Sequence, residues 1–170
     1  MIRVHHGSFR DVDAEGILRP IRTDLTPVSH LSRDLGTGAG ESVEEKLSRS
    51  GSIPLGGAVM TPAGDLPFDF LIHVVVMSED EPQTTATVQK AVRNGLRRAT
   101  DWALDSLALP PLGIGVGTTE PEDSARALAE ILYNHVDEGV PPLDFVIVVS
   151  TAFEAEMFER IIDELAAQRS

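Results

Sequence analysis

Leu107-Ala108-Leu109-Pro110-Pro111-Leu112-Gly113-Ile114-Gly115-Val116-Gly117-Thr118-Thr119-Glu120-Pro121 is the stretch from which the rest of the chain is read. An apolar run of strand length stops at two prolines, three alternating glycines follow, and Thr119-x-x-Glu122 with Pro121 predicts a capped helix start. A strand passing through a glycine loop into a helix is the βα unit of an α/β protein. Such a loop can bare backbone N–H groups to an anion, phosphate first among them. The same glycines can equally serve only to pack a tight βα connection.

Downstream, Ala125, Leu128, Ala129, Leu132 and Val136 fall on one face of the predicted helix. Leu143–Val149 reads as the last strand, and Phe153, Met157, Ile161 and Leu165, at steps of four, mark a terminal helix. Upstream, Thr84 or Thr85 caps a long helix carrying Val88, Ala91, Val92, Leu96, Ala99 and Ala103, with Trp102 expected in the core. Phe70–Val76 is the strongest strand, apolar on both faces and so expected inside a sheet covered on both sides. His73 within it reads as a hydrogen-bonded core histidine. Gly57–Thr61 is a strand that Pro62 closes, and Val43 with Leu47 predicts a short helix from Glu41.

Nearer the N-terminus, Ile2–His5 and Gly16–Leu18 read as strands, the second expected to end at Pro20. No period is sustained from Arg19 to Gly40. Alternating strands and helices predict right-handed βαβ units, and the two early strands suggest a mixed sheet. The expected architecture is a single domain over residues 1–170, a three-layer α/β/α sandwich with a mixed, mostly parallel central sheet. Ligands of such sheets settle beyond the carboxyl ends of the strands, where the glycine loop falls.

Among 170 residues 42% are hydrophobic, enough for one core, and the net charge is -13 with a pI near 4.6. That field repels polyanions, so no nucleic-acid polymer and no anionic membrane is expected as a partner. A small anion can still be held by local amides, because salt screens distant charge beyond roughly 10 Å. No apolar run reaches the roughly 18 residues of a membrane span, and Met1–His6 lacks a signal-peptide core, so the expectation is a soluble, cytoplasmic protein. Cysteine is absent, and no His, Asp or Glu stands at ligand spacing beside His73 or His5-His6; no metal or cofactor is expected. G-x-x-x-x-G-K-[ST] and G-x-S-x-G are both missing, and Gly113-x-Gly115-x-Gly117 departs from G-x-G-x-x-G at Thr118.

Taken in order, these pieces resemble the macro domain, an ADP-ribose-binding α/β/α module. Gly57-Ala58-Val59-Met60-Thr61-Pro62-Ala63-Gly64-Asp65-Leu66-Pro67 is similar to the family's G-E-A-x-x-T-x-A-G-x-L-P, and Phe70–Val75 to its Y-V-I-H-x-V strand. The segment Pro110–Gly117 stands where the family has P-x-x-x-T-G-V-x-G. The resemblance implies that Gly113, Ile114, Gly115, Val116 and Gly117 wrap a diphosphate through backbone amides. It also implies that Gly36–Gly40, with Gly36 and Gly38, forms a first phosphate loop, and that Ser8 and Phe9 lie at the base.

The departures fall on polar groups. Gly7-Ser8-Phe9 replaces the family's G-D-I, whose aspartate accepts from the adenine amine, so adenine selection weakens by roughly 1 kcal/mol or more. Arg19-Pro20-Ile21-Arg22 replaces N-A-A-N, removing both asparagines of the hydrolytic members and leaving the catalytic residues unknown. Arg19 or Arg22 can supply a phosphate contact at the edge of the site in their place. The stretch before Glu41 reads as short, with most of the helix after the family's first loop missing. Three readings remain open: a binder of ADP-ribose or a related nucleotide or phosphorylated metabolite, an ADP-ribosyl hydrolase with non-standard catalytic residues, and a degenerate pocket serving an unknown protein partner.

Overall fold

The structure, a computed structural model, describes residues 1–114, 116 and 119–170. Among them the chain forms strands β1 (Ile2–His6), β2 (Gly16–Arg22), β3 (Ala58–Pro62), β4 (Phe70–Met77), β5 (Ser106–Leu109) and β6 (Asp144–Val149). The helices are α1 (His30–Ala39), α2 (Glu41–Ser48), α3 (Thr85–Asp101), α4 (Pro121–Asp137) and α5 (Ala152–Arg169). The strands make one sheet in the order β1-β6-β5-β2-β4-β3. All neighbours pair in parallel except β3, which runs antiparallel to β4 at the edge. The sheet is therefore mixed, but through β3; β1 and β2 are separated by two strands.

Side-chain alternation divides the core into two layers. Ile72, Val74 and Val76 of β4, Leu107 and Leu109 of β5, and Phe145 and Ile147 of β6 pack with α3, α4 and α5. On the other face, Leu71, Ala108, Val146 and Val148 meet Leu35 and Ala39 of α1 and Val43 of α2, and Val75 meets Leu47. The result is the three-layer α/β/α sandwich. None of the described helices is long and apolar enough to cross a membrane.

Four local expectations change. Pro20 lies inside β2, not at its end. β5 pairs only with Gly16 and Ile17, so beyond Ile17 that side of β2 has no ladder for the missing N–H to break. Trp102 follows α3 and is 63% exposed, its ring tilted on Phe70 at 5.8 Å, so it flanks the sheet's end without entering the core. Phe153, placed on the inner stripe of the last helix, is exposed, while Met157, Phe158, Ile161, Ile162 and Leu165 are buried. The fourth change is largest: residues 30–39, read as aperiodic, are the helix α1. The stretch before Glu41, read as too short for most of a helix, thus carries ten helical residues, which include most of the expected first loop.

Gly36 and Gly38, expected in a phosphate loop, sit within α1. A Cβ on Gly36 would stand 2.3 Å from the Arg19 guanidinium, and one on Gly38 would stand 2.8 Å from Leu66. Close approach of α1 to its neighbours explains these glycines.

Beneath α1 lies a polar network in an otherwise apolar layer. Arg19 is 2% exposed; its Nε donates to the Ser32 carbonyl at 2.7 Å, and its Nη1 lies 3.4 Å from His73 Nδ1 and 3.5 Å from a Glu44 carboxylate oxygen. Arginine can only donate, so Nδ1 accepts and the His73 proton sits on Nε2, 2.9 Å from Thr61 Oγ1. Burial, assisted by the Arg19 charge, pushes His73 down to about 3, and burial lowers Arg19 against the opposing pull of Glu44.

Unfolded His73 titrates near 6.5, so its neutral form contributes stability that is complete above that pH. As pH falls from 6.5 toward 3 this is lost, at up to about 1.4 kcal/mol per pH unit. His73→Gln, which cannot protonate, is expected to be less stable than the parent at pH 7. Urea unfolding at pH 7 and pH 5 should show the gap between them narrowing in acid.

Candidate functional site

Five parallel strands bring their carboxyl ends to one edge of the sheet, and a cleft of about 520 Å³ opens there. Gly7, Ser8 and Phe9 after β1, Val148–Ser150 at the end of β6, Pro110–Ile114 after β5, and Val28–Leu31 with Asp34 at the start of α1 line it. Gln83, ahead of α3, and Glu154 of α5 complete the rim. The structure thus brings together Ser8, Phe9, Gly113 and Ile114. Gly36 and Gly38 are not in the lining.

Each wall has a local cause. Ser8 caps a single turn of 3-10 helix over Phe9–Asp11, its hydroxyl oxygen accepting from the Arg10 N–H at 3.1 Å. Phe9 is buried against Phe68, and the Arg10 guanidinium covers its ring at 5.2 Å. After β5, the Leu112 N–H turns back to the Pro110 carbonyl at 2.8 Å. Gly113 has φ +89°, a left-handed value that disfavours any side chain. Val116 is buried in the layer with α3 and α4, and its N–H donates to the Gly113 carbonyl at 3.4 Å, so it anchors the loop. Gly115 and Gly117, with Thr118, lie outside the described residues.

Two helices begin at the cleft, in different electrostatic states. Ser29 caps α1 by accepting from the Ser32 N–H at 3.1 Å, and the N–H groups of His30 and Leu31 are first-turn donors with no intrahelical acceptor. Positive helix potential therefore faces the cleft. In α5, Thr151 accepts from the Glu154 N–H and donates to the Glu154 carboxylate at 3.2 Å, so this start already carries its own anion. The box expected from Thr119 and Glu122 does not form: Glu120 is the N-cap of α4 without a side-chain bond, and Glu122 instead accepts from Arg160 at 2.9 Å. That bond holds the Glu122 carboxyl below its usual range.

His30, Asp34 and Glu154 are the ionisable groups of the described lining, and no Lys or Arg joins them. Arg19 lies under α1, and Arg22 folds onto the Pro27 carbonyl, so neither supplies the edge contact expected of it. The α1 wall was not read from the sequence. Its signal was Ser29 as a cap with Leu31, Leu35 and Ala39 at steps of four, obscured by the glycines set between them.

The family model described as Macro domain matches residues 25–128, more than half of the chain. The chain belongs to the macro domain family. An uncharacterised protein of Aquifex aeolicus is 34% identical over 130 residues, covering 76% of this chain and 79% of that one. A protein of Enterobacter cloacae named O-acetyl-ADP-ribose deacetylase is 23% identical over 169 residues, covering 96% and 94%. Among solved structures, a mutant Oceanobacillus iheyensis macrodomain with ADPR superposes with a TM-score of 0.82 at 16% identity, covering 96% of this macro domain and 92% of that chain.

Asp34 places a carboxylate on the wall that also carries the α1 donors. Asp34→Asn is expected to strengthen binding of a phosphorylated ligand by a few-fold at low salt, with the gain shrinking at high salt. Titration calorimetry at two ionic strengths checks it.

Proposed function

We propose that this macro domain binds ADP-ribose, or a related nucleotide or phosphorylated metabolite, in the cleft at the carboxyl edge of the sheet. The observation that carries the reading is the meeting of two backbone segments there: Gly113–Ile114 after β5, and the first turn of α1, whose His30 and Leu31 N–H groups are left over by the Ser29 cap. Family membership and the ADPR-containing structural neighbour support the choice of ligand. Lacking lysine and arginine in its described lining, the cleft suits a small anion held by neutral N–H groups. Such groups bind without a long-range field, which agrees with an acidic exterior.

Ser8 bears on the base. Its oxygen already accepts one hydrogen bond from Arg10, so its hydroxyl proton is free to donate. Where an aspartate would demand a donor from the ligand, this serine also tolerates an acceptor. Weak discrimination among nucleobases follows.

The name of the Enterobacter cloacae relative favours a second reading, hydrolysis of an ester carried by ADP-ribose. His30, Asp34 and Glu154 are the cleft groups able to take a proton from water. Glu154 already holds a Thr151 hydroxyl, which leaves His30 and Asp34 as candidates for the base.

Calorimetry with ADP-ribose, AMP and inorganic phosphate tests the binding reading: heat with ADP-ribose is expected, and none at millimolar ligand would refute it. Ile114→Glu, which adds a carboxylate to a partly exposed loop position, should abolish that heat; because Ile114 also packs against the core layer, some fall in melting temperature is expected, and circular dichroism at the titration temperature checks that the variant is folded. Acetate release from O-acetyl-ADP-ribose tests the second reading. A rate lost on His30→Asn or Asp34→Asn supports it, and a parent rate equal to buffer removes it.

A further inference from the structure

Arg19 stands on β2 between Ile17 and Ile21, on the face covered by α1 and α2. An apolar side chain would suit that layer, whereas a guanidinium there must be desolvated while its partner Glu44 stays half exposed. The arginine is accounted for by what its donors hold. Its distinctive product is geometric, because its Nε bonds the Ser32 carbonyl in the first turn of α1 at 2.7 Å.

Ser32 is wholly buried and held at three atoms. Its N–H donates to the Ser29 cap, its Oγ donates to the Pro20 carbonyl at 2.5 Å, and its carbonyl accepts from Arg19. The guanidinium is itself fixed by His73 on one side and Glu44 of α2 on the other. One turn along α1, the absence of a side chain on Gly36 leaves the space that the guanidinium fills. Ser29, His30 and Leu31, immediately before the clamped serine, form one wall of the cleft.

We infer that Arg19 is a positioning residue for the cleft: clamped between His73 and Glu44, its guanidinium fixes the Ser32 carbonyl and with it the donor-bearing first turn of α1. The effect on ligand rests on the function proposed above; the clamp on α1 does not. Gly36 belongs to the same device, since any larger residue displaces the guanidinium.

Arg19→Met keeps the volume and removes the donors, and hydrogen exchange, thermal melting and ADP-ribose titration read the result. The amides of residues 32–34 are expected to exchange about tenfold faster while the sheet and α3–α5 remain as in the parent. ADP-ribose affinity should fall about tenfold, and the melting temperature should fall too, because His73 Nδ1 and the Ser32 carbonyl lose their donor; the Val92 control separates that loss of stability from the loss of affinity. Val92→Ala, a truncation in the opposite core layer, should lower the melting temperature without either effect. Should Arg19→Met not fold, Gly36→Ala, which crowds the guanidinium without removing it, is expected to show the same pattern of α1 exchange and lost affinity. Unchanged exchange in α1, or an equal loss of affinity in Val92→Ala, overturns the inference. Loosened α1 in a protein whose parent form binds no ADP-ribose supports the clamp and refutes the proposed function alone.

Discussion

A guanidinium buried beneath a helix has to be answered by acceptors from every element around it, and Arg19 imposes that constraint here. β4 answers with Nδ1 of His73, whose Nε2 proton Thr61 of β3 accepts; α1 answers with the Ser32 carbonyl and α2 with Glu44. Five elements are thereby tied by directional bonds where apolar packing would leave their register looser. Among the described residues the other core layer, between the sheet and α3–α5, has no counterpart to this network and rests on apolar packing. The two faces of one sheet are built on different physics.

The cleft inherits that difference. Its β5 side is a loop whose turn is set by Gly113 and whose far end is anchored by buried Val116. Its α1 side is a helix start whose donors are held in place from below. α5 also begins at the cleft, but Glu154 occupies its positive end. In the proposed reading, a site with first-turn amides at α1 and carboxylates at Asp34 and Glu154 would select an anion by geometry, since net charge opposes it.

Much of the fold was legible because hydrophobic period is a local property. Phe70–Val76, Leu107–Leu109 and Leu143–Val149 carry strand patterns strong enough to locate β4, β5 and β6 within a residue or two, and α3 and α4 show their stripes. α1 was not legible, because a helix carrying two glycines among ten residues has weak propensity and gains its stability from tertiary contact. Trp102 misled for a related reason: an aromatic beside an apolar stripe is read as core, whereas its position after the last turn of α3 leaves it half out of the protein. Of the cleft's described lining, the sequence marks Ser8, Phe9, Gly113 and Ile114 as ligand-binding candidates and leaves the wall built from α1 unmarked.

By itself the sequence determined the α/β class, the order of most elements, the macro domain relationship and the glycine loop at the carboxyl edge of the sheet, because motif and period are carried by neighbouring residues. Only the tertiary structure decided what Arg19, Gly36 and His73 are for. Read singly they are a basic residue, a turn residue and a core histidine. Their roles depend on three segments separated by up to 54 positions meeting in one buried layer. No local pattern encodes that meeting, since the acceptors that make a buried guanidinium tolerable come from elsewhere in the chain.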